Sequence, residues 1–149
     1  MIKKYTYITF IIFFLTSCGF VPIYLKNNNI QFSIEQVNYT GDRELNNFLK
    51  TNLNQYKNKK YENKFFIEAE TKYEKVILTK DGSGEITNYE LKAEVVFLIK
   101  STDKKIIITE KKIMEAKSDK FEEAKYEKTI KQNFASSISY KLTSELAVN

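Results

Sequence analysis

The side chain with the most definite chemistry in this 149-residue chain is its only cysteine, Cys18, which closes the tetrapeptide Leu15-Thr16-Ser17-Cys18. A thiol preceded by two small residues, with a leucine three positions before it, has the pattern of a bacterial lipobox. The chemistry of such a site is acylation. The sulfur becomes a diacylglycerol thioether, the peptide bond before the cysteine is cut, and the freed amine takes an amide-linked acyl chain. An intermolecular disulfide and a free thiol are the minor readings of a lone cysteine in this position. The carboxylates Glu68/Glu70, Glu122/Glu123 and Glu94 form a second inventory, available in principle for glycosidase-type work, which needs two acids roughly 5 to 9.5 Å apart. Their spacing reads more simply as the polar faces of strands and a helix.

The rest of the composition supplies no catalytic set. Histidine is absent from the sequence, which removes the common general base and the common metal ligand. Acylation of Cys18 removes thiolate chemistry and cysteine-ligated zinc as well. Gly82-Ser83-Gly84 lacks the lysine and helix that a phosphate-binding loop requires. The expectation is a protein that is not an enzyme, with no catalytic residues, no metal ligands and no cofactor beyond the covalent lipid on Cys18.

The elements around Cys18 support the lipidation reading. Lys3 and Lys4 form a basic start, and Tyr7 to Leu15 form an apolar run too short for the roughly 20 residues of a membrane-spanning helix. Residues 1–17 are expected to be a lipoprotein signal peptide, 18–29 a lipidated tether and 30–149 a single α+β domain. An uncleaved anchor with Cys18 idle would tether the domain as well. Two acyl chains suffice for stable anchoring and three make desorption improbable, at about 0.8 kcal/mol per buried methylene. Gly19, rather than an acid, favours the periplasmic face of the outer membrane. Without residues 1–17 the chain keeps 132 residues, enough for one core, and loses two of its 24 cations and none of its 19 acids, leaving a net charge of +3. With Arg43 the single arginine and no basic stripe, nucleic acid is excluded as a partner class.

Along the chain, Ile30, Phe32 and Ile34 alternate with polar residues and continue, after a phase change, through Val37 and Tyr39, which predicts a first strand. Asp42 can cap a helix whose apolar residues are Leu45, Phe48, Leu49, Leu53 and Tyr56, with Asn46, Asn47, Lys50 and Asn54 toward water. A second strand starts near Lys64 with Phe65, Ile67, Ala69 and Thr71 inward. Val76 and Leu78 have the opposite parity, so either a bulge re-phases the strand or its far end is apolar on both faces. Asp81-Gly82-Ser83-Gly84 is a turn. A third strand presents Tyr89, Leu91, Ala93, Val95, Phe97 and Ile99, and a fourth runs from Ile106 to Met114. Asp119 followed by Glu122 has the capping-box pattern, opening a helix of about 25 residues with Ile130, Phe134, Ile138, Leu142 and Leu146 as its stripe. The outline is a β-α-β-β-β-α, two-layer α+β sandwich: a four-stranded, mostly antiparallel sheet with two helices on one face. Phe66, Val76, Leu78, Val96, Leu98, Ile106 and Ile108 then make the second face partly apolar, unless irregular phasing turns them all inward.

Cys18-Gly19-Phe20-Val21-Pro22-Ile23-Tyr24 resembles the Cys-Gly-Phe-x-Pro-Leu-Tyr start of alphaproteobacterial members of the LptE family, the lipoprotein subunit of the outer-membrane lipopolysaccharide translocon. Gly41-Asp42-Arg43-Glu44-Leu45-Asn46-Asn47-Phe48-Leu49 resembles that family's arginine-led first helix. The family's glycine after the tyrosine is Leu25 here. The resemblance implies a non-enzymatic plug inside the β-barrel LptD, helping it fold and helping deliver lipopolysaccharide. It also implies recognition of anionic lipid A by basic residues, lysines pairing with phosphates as point charges. Phe20 and Tyr24 are the residues expected to dock on the partner or lie at the lipid interface. If strand one runs parallel to strand two, its exit, the turn after strand two and the exit of strand four share one end of the sheet. That end would collect Arg43, Lys80, Lys117 and Lys120 as a lipopolysaccharide-binding cluster, against the plain reading of four solvated charges. Lys100, Lys104 and Lys105 lie at the other end. The competing function is a stand-alone periplasmic lipid-binding or inhibitor lipoprotein.

Overall fold

The computed structural model describes residues 32–148. Strand β1 (Phe32–Gly41) leads into helix α1 (Arg43–Leu53), which ends in a single 3-10 turn, Asn54–Tyr56. Strands β2 (Asn63–Lys80), β3 (Ile86–Ile99) and β4 (Lys104–Glu115) follow, and helix α2 (Lys120–Ala147) closes the fold. The sheet order is β1-β2-β3-β4, with β1 parallel to β2 and the remaining neighbours antiparallel. This is the expected α+β architecture, and the expected strand-one parity change is a register shift between Ile34 and Gln36.

Each element follows from local chemistry. The Asp42 carboxylate accepts from the Leu45 amide at 2.7 Å, satisfying one free donor of α1, and Leu45, Leu49 and Leu53 are fully buried. Asp119 caps α2 by accepting from the amides of Phe121 and Glu122. In the β2–β3 turn the Asp81 carboxylate accepts from the Ser83 hydroxyl and from the amides of Ser83 and Glu85, while Gly84 takes a φ of +88°. The same bonds, the Ser83 hydroxyl first, hold the Asp81 carboxyl below its usual range.

β3 is the centre of the core: Leu91, Ala93, Val95 and Phe97 are fully buried, between the sheet neighbours and the stripe Ile130, Phe134, Ile138 and Leu142 of α2. Where β1 crosses into α1 the backbones of Gly41 and Thr71 nearly touch. A Cβ on Gly41 would stand 1.8 Å from the Thr71 carbonyl oxygen, and the φ of +91° is itself a glycine conformation. The Thr71 hydroxyl has the Asn46 side-chain oxygen at 2.8 Å and the Thr40 carbonyl at 2.9 Å as acceptors. Asn46, expected on the solvent side of α1, therefore ties the helix to the sheet.

β2 has 18 residues and β1 has 10, so β1 stops level with Thr71 and the last nine residues of β2 run on without it. Of the two readings of Val76 and Leu78, the second holds: the far end of β2 is apolar on both faces, and the irregularity comes too late to turn Val76 inward. Register shifts fall between Ile77 and Lys80, and Val76, Ile77 and Leu78 are all exposed. On β4, Ile106 and Ile108 face the core, which removes them from the second face, where Ile107 and Ile113 stand instead. No helix among the described residues is long and apolar enough to cross a membrane.

Candidate interaction surfaces

The sheet face away from the helices divides into two zones. Toward the β2–β3 turn it is a lattice of partly exposed ion pairs: Lys72–Glu74 at 2.8 Å, Lys92–Glu94 at 3.0 Å and Lys111–Glu90 at 3.5 Å. The lysines hold Glu74 and Glu94 below the usual carboxylate range, chiefly through hydrogen bonds from Lys72 and Lys92 respectively. Beside β1 lies a depression of about 510 Å³ with Val96 and Leu98 in its floor and Asn38, Thr40, Glu68, Glu70 and Lys105 around it. Glu68 is paired with Lys100 at 2.9 Å, and the half-exposed ring of Phe66 and the exposed Ile107 flank the depression. An apolar floor with a polar rim is suited to docking another surface.

Under the opposite face the overhanging half of β2 is fastened to α2 by a line of polar contacts. The Tyr73 hydroxyl donates to Glu127 at 3.0 Å, and the Lys75 ammonium donates to Glu127 at 2.8 Å and to Glu123 at 3.1 Å while lying 4.1 Å from the Tyr89 ring centroid. Lys131 lies 3.9 Å from the Tyr73 ring centroid and reaches Glu44 at 2.9 Å and Asp42 at 3.8 Å, linking α2 to the start of α1. Burial first, and then Glu127, push the Tyr73 hydroxyl far above its ordinary pKa. Burial works against the charge of Lys75, but its bonds to Glu127 and Glu123 outweigh that and raise its pKa. Glu123, expected on a polar face, is buried. Its carboxylate accepts from the Lys117 amide at 2.9 Å as well as from Lys75 and Lys120, and that amide bond is the largest of the effects that lower its pKa.

Cys18, Phe20 and Tyr24 lie outside the described residues. Arg43 opens α1 beside the Gly41–Thr71 contact, whereas Lys80 ends β2 nine residues further on, roughly 30 Å away at about 3.3 Å per residue. The strand-one exit and the β2–β3 turn are thus at different heights, because the overhang of β2 separates them. Lys117 is near the turn end: Ala116 donates its amide to the Thr87 carbonyl, and the Lys117 ammonium is 5.0 Å from the Tyr126 ring centroid. Lys112 approaches the same ring at 6.0 Å. Lys120 pairs with Glu123 at 3.3 Å. Of the opposite group, Lys100 and Lys104 are in ion pairs with Glu68 and Glu145, and Lys105 lines the depression. Lys112 and Tyr126 were not singled out in the sequence. Their signal is parity: Lys112 is an inward position near the end of β4, one turn of chain before the helix that carries Tyr126. Among the described residues no group of three or more acids could hold a metal ion.

No family model matches the chain, and no curated protein matches it in sequence. The fold is shared with solved structures. The rare lipoprotein B from Shewanella oneidensis superposes with a TM-score of 0.57 at 11% identity, over 78% of this chain and 95% of that one. A lipoprotein B from Nitrosomonas europaea gives 0.55 at 15% identity, over 80% and 87%. A minor lipoprotein from Acinetobacter baumannii gives 0.53 at 13% identity, over 78% and 94%.

Proposed function

We propose that this chain is an outer-membrane lipoprotein, anchored through acylated Cys18, that acts as plug and assembly partner of a lipopolysaccharide-exporting β-barrel of the LptD type. The observation that carries the reading is a coincidence of two independent signals. The sequence has a lipobox followed by an LptE-like heptapeptide, and the domain behind it has a fold found in bacterial lipoproteins. The partly apolar open face gives such a plug a surface to set against a partner. The role is non-enzymatic.

Within this reading the cations near the β2–β3 turn contact the phosphates of lipid A. Of the expected set Arg43, Lys80, Lys117 and Lys120, Arg43 lies away from this end, and Lys117 is the strongest member, since its ammonium lies against Tyr126 beside Lys112 whereas Lys120 is paired with Glu123. Replacing Lys80, Lys117 and Lys120 together by alanine lowers lipopolysaccharide binding while the circular dichroism spectrum is retained; undiminished binding would remove the assignment. The partnership is tested by purifying tagged, lipidated protein from its own outer membrane in mild detergent. A single large β-barrel at one to one is expected. Recovery of the domain with lipid alone would favour a stand-alone periplasmic lipid-binding or inhibitor lipoprotein.

A further inference from the structure

We infer that the depression on the open sheet face is a docking site for an extended protein segment that carries a base and an acid four residues apart, with an apolar side chain midway between them. In the rows of this face from Glu68 to Val76 the charges are otherwise answered within the face. Glu68 is paired with Lys100, Lys72 with Glu74, Lys92 with Glu94 and Lys111 with Glu90. The two exceptions both line the depression: Glu70 on β2 and Lys105 on β4 are exposed and have no side-chain hydrogen bond or ion pair among the described residues. A carboxylate and an ammonium are thus left over on opposite sides, with Val96 and Leu98 between them in the floor.

The register gives the spacing. Glu70 is level with Val96 and Ile107, and Lys105 is level with Leu98 and Glu68. The two unpaired residues are therefore two strands and two residues apart, which at about 4.8 Å per strand and about 3.3 Å per residue puts their backbone positions about 12 Å from each other. In an extended segment the side chains at i, i+2 and i+4 share one face, and i and i+4 are about 13 Å apart. A base at i then sits over Glu70, an acid at i+4 over Lys105, and an apolar side chain at i+2 on Val96 and Leu98. Other occupants match less of this pattern. A surface of one sign, such as a layer of anionic lipid headgroups, gains one contact and meets a like charge at the other. An acyl chain leaves both charges unanswered. A small zwitterion lacks the apolar centre, and the depression is open, unlike the enclosing pockets that bury most of a small ligand.

This inference does not rest on the barrel reading, and the test uses the full lipidated chain in detergent with defined peptides. Acetylated, amidated Lys-Thr-Leu-Thr-Glu is titrated into the isotope-labelled chain while its amide NMR signals are followed. Shifts are expected at Ala69, Val96 and Leu98, with a Kd of about 1 mM, as suits a short segment on an open surface. Peptides with lysine at both ends, or glutamate at both ends, are expected to bind about threefold more weakly, since each loses one pair and gains a like-charge contact. Glu70→Lys is expected to turn the order about threefold in favour of the glutamate peptide, and Lys105→Glu about threefold in favour of the lysine peptide. Both substitutions replace exposed side chains, and the amide spectrum of each variant reports that the fold is retained. No shift at these amides, equal binding of the three peptides by the parent chain, or an order unchanged in either variant overturns the inference. So do shifts at the depression caused by the detergent's acyl chains alone or by raising the protein concentration alone, which assign the floor to lipid or to a second copy. None of these outcomes touches the barrel pull-down, so the two readings fall separately.

Discussion

Replacing Glu123 by glutamine tests whether the overhanging half of β2 is held to α2 by a charge. The carboxylate is buried and accepts three bonds, from the Lys117 amide at 2.9 Å, from Lys75 at 3.1 Å and from Lys120 at 3.3 Å. Lys120 is 72% exposed and adds little. The amide and Lys75 bonds dominate, and glutamine keeps the shape and one acceptor but not the charge. The expected loss at pH 7 is about 1–2 kcal/mol, which for a domain of this size lowers Tm by about 3–8 °C. The pH dependence gives the sharper test. The Glu123 pKa is lower in the folded state than in the unfolded chain, so its contribution is complete above the unfolded value of about 4.3 and is lost as pH falls through the lower, folded value. Thermal unfolding followed by circular dichroism should show a gap between the parent chain and Glu123→Gln at pH 7 and at pH 5, closing toward pH 3. A gap of equal size at pH 3, or none at pH 7, would refute the account, since either outcome means that the charge of Glu123 is not what fastens the helix.

Gly41→Ala should destabilise by at least about 2–3 kcal/mol, from an unfavourable φ and from the Cβ driven onto the Thr71 carbonyl, and urea unfolding measures it. Lys131→Met, which keeps the length of the side chain and removes its charge, should cost about 1–2 kcal/mol. The larger figure for a broken buried pair does not apply, because Glu44 is 43% exposed and rehydrates; a loss above about 4 kcal/mol in the same urea assay would contradict that. Cys18→Ala should abolish incorporation of labelled palmitate into the chain, and undiminished labelling would refute acylation at that residue.

Much of the fold was legible in the sequence because burial imposes a period. Alternation through Tyr89, Leu91, Ala93, Val95, Phe97 and Ile99 marked the core face of β3, and the stripe Ile130, Phe134, Ile138, Leu142 and Leu146 marked the core side of α2; all of these residues are buried. Asp42 and Asp119 marked both helix starts because the free amides of a first turn need a nearby acceptor. Parity failed where apolar residues run consecutively, as in Ile106-Ile107-Ile108. Ile106 and Ile108 were assigned to the second face and point into the core, because the phase of β4 is set by its pairing with β3 and not by its own run of isoleucines.

The sequence by itself determined the element order, the core faces of β3 and α2, the helix caps, the absence of histidine, and the candidate acylation site at Cys18. Only the tertiary structure decided what the polar residues do. Lys131 meets Glu44 across 87 positions and Lys75 meets Glu123 across 48, and neither meeting leaves a periodic trace. The overhang of β2 beyond β1 likewise moved Arg43 away from Lys80, a separation set by the relative lengths of two paired strands. Apolar side chains are placed by a non-directional force that any interior satisfies, so their pattern is written locally. Charges and hydrogen-bonding groups need one partner at one distance, and that partner is chosen by the packing of elements far apart in the chain.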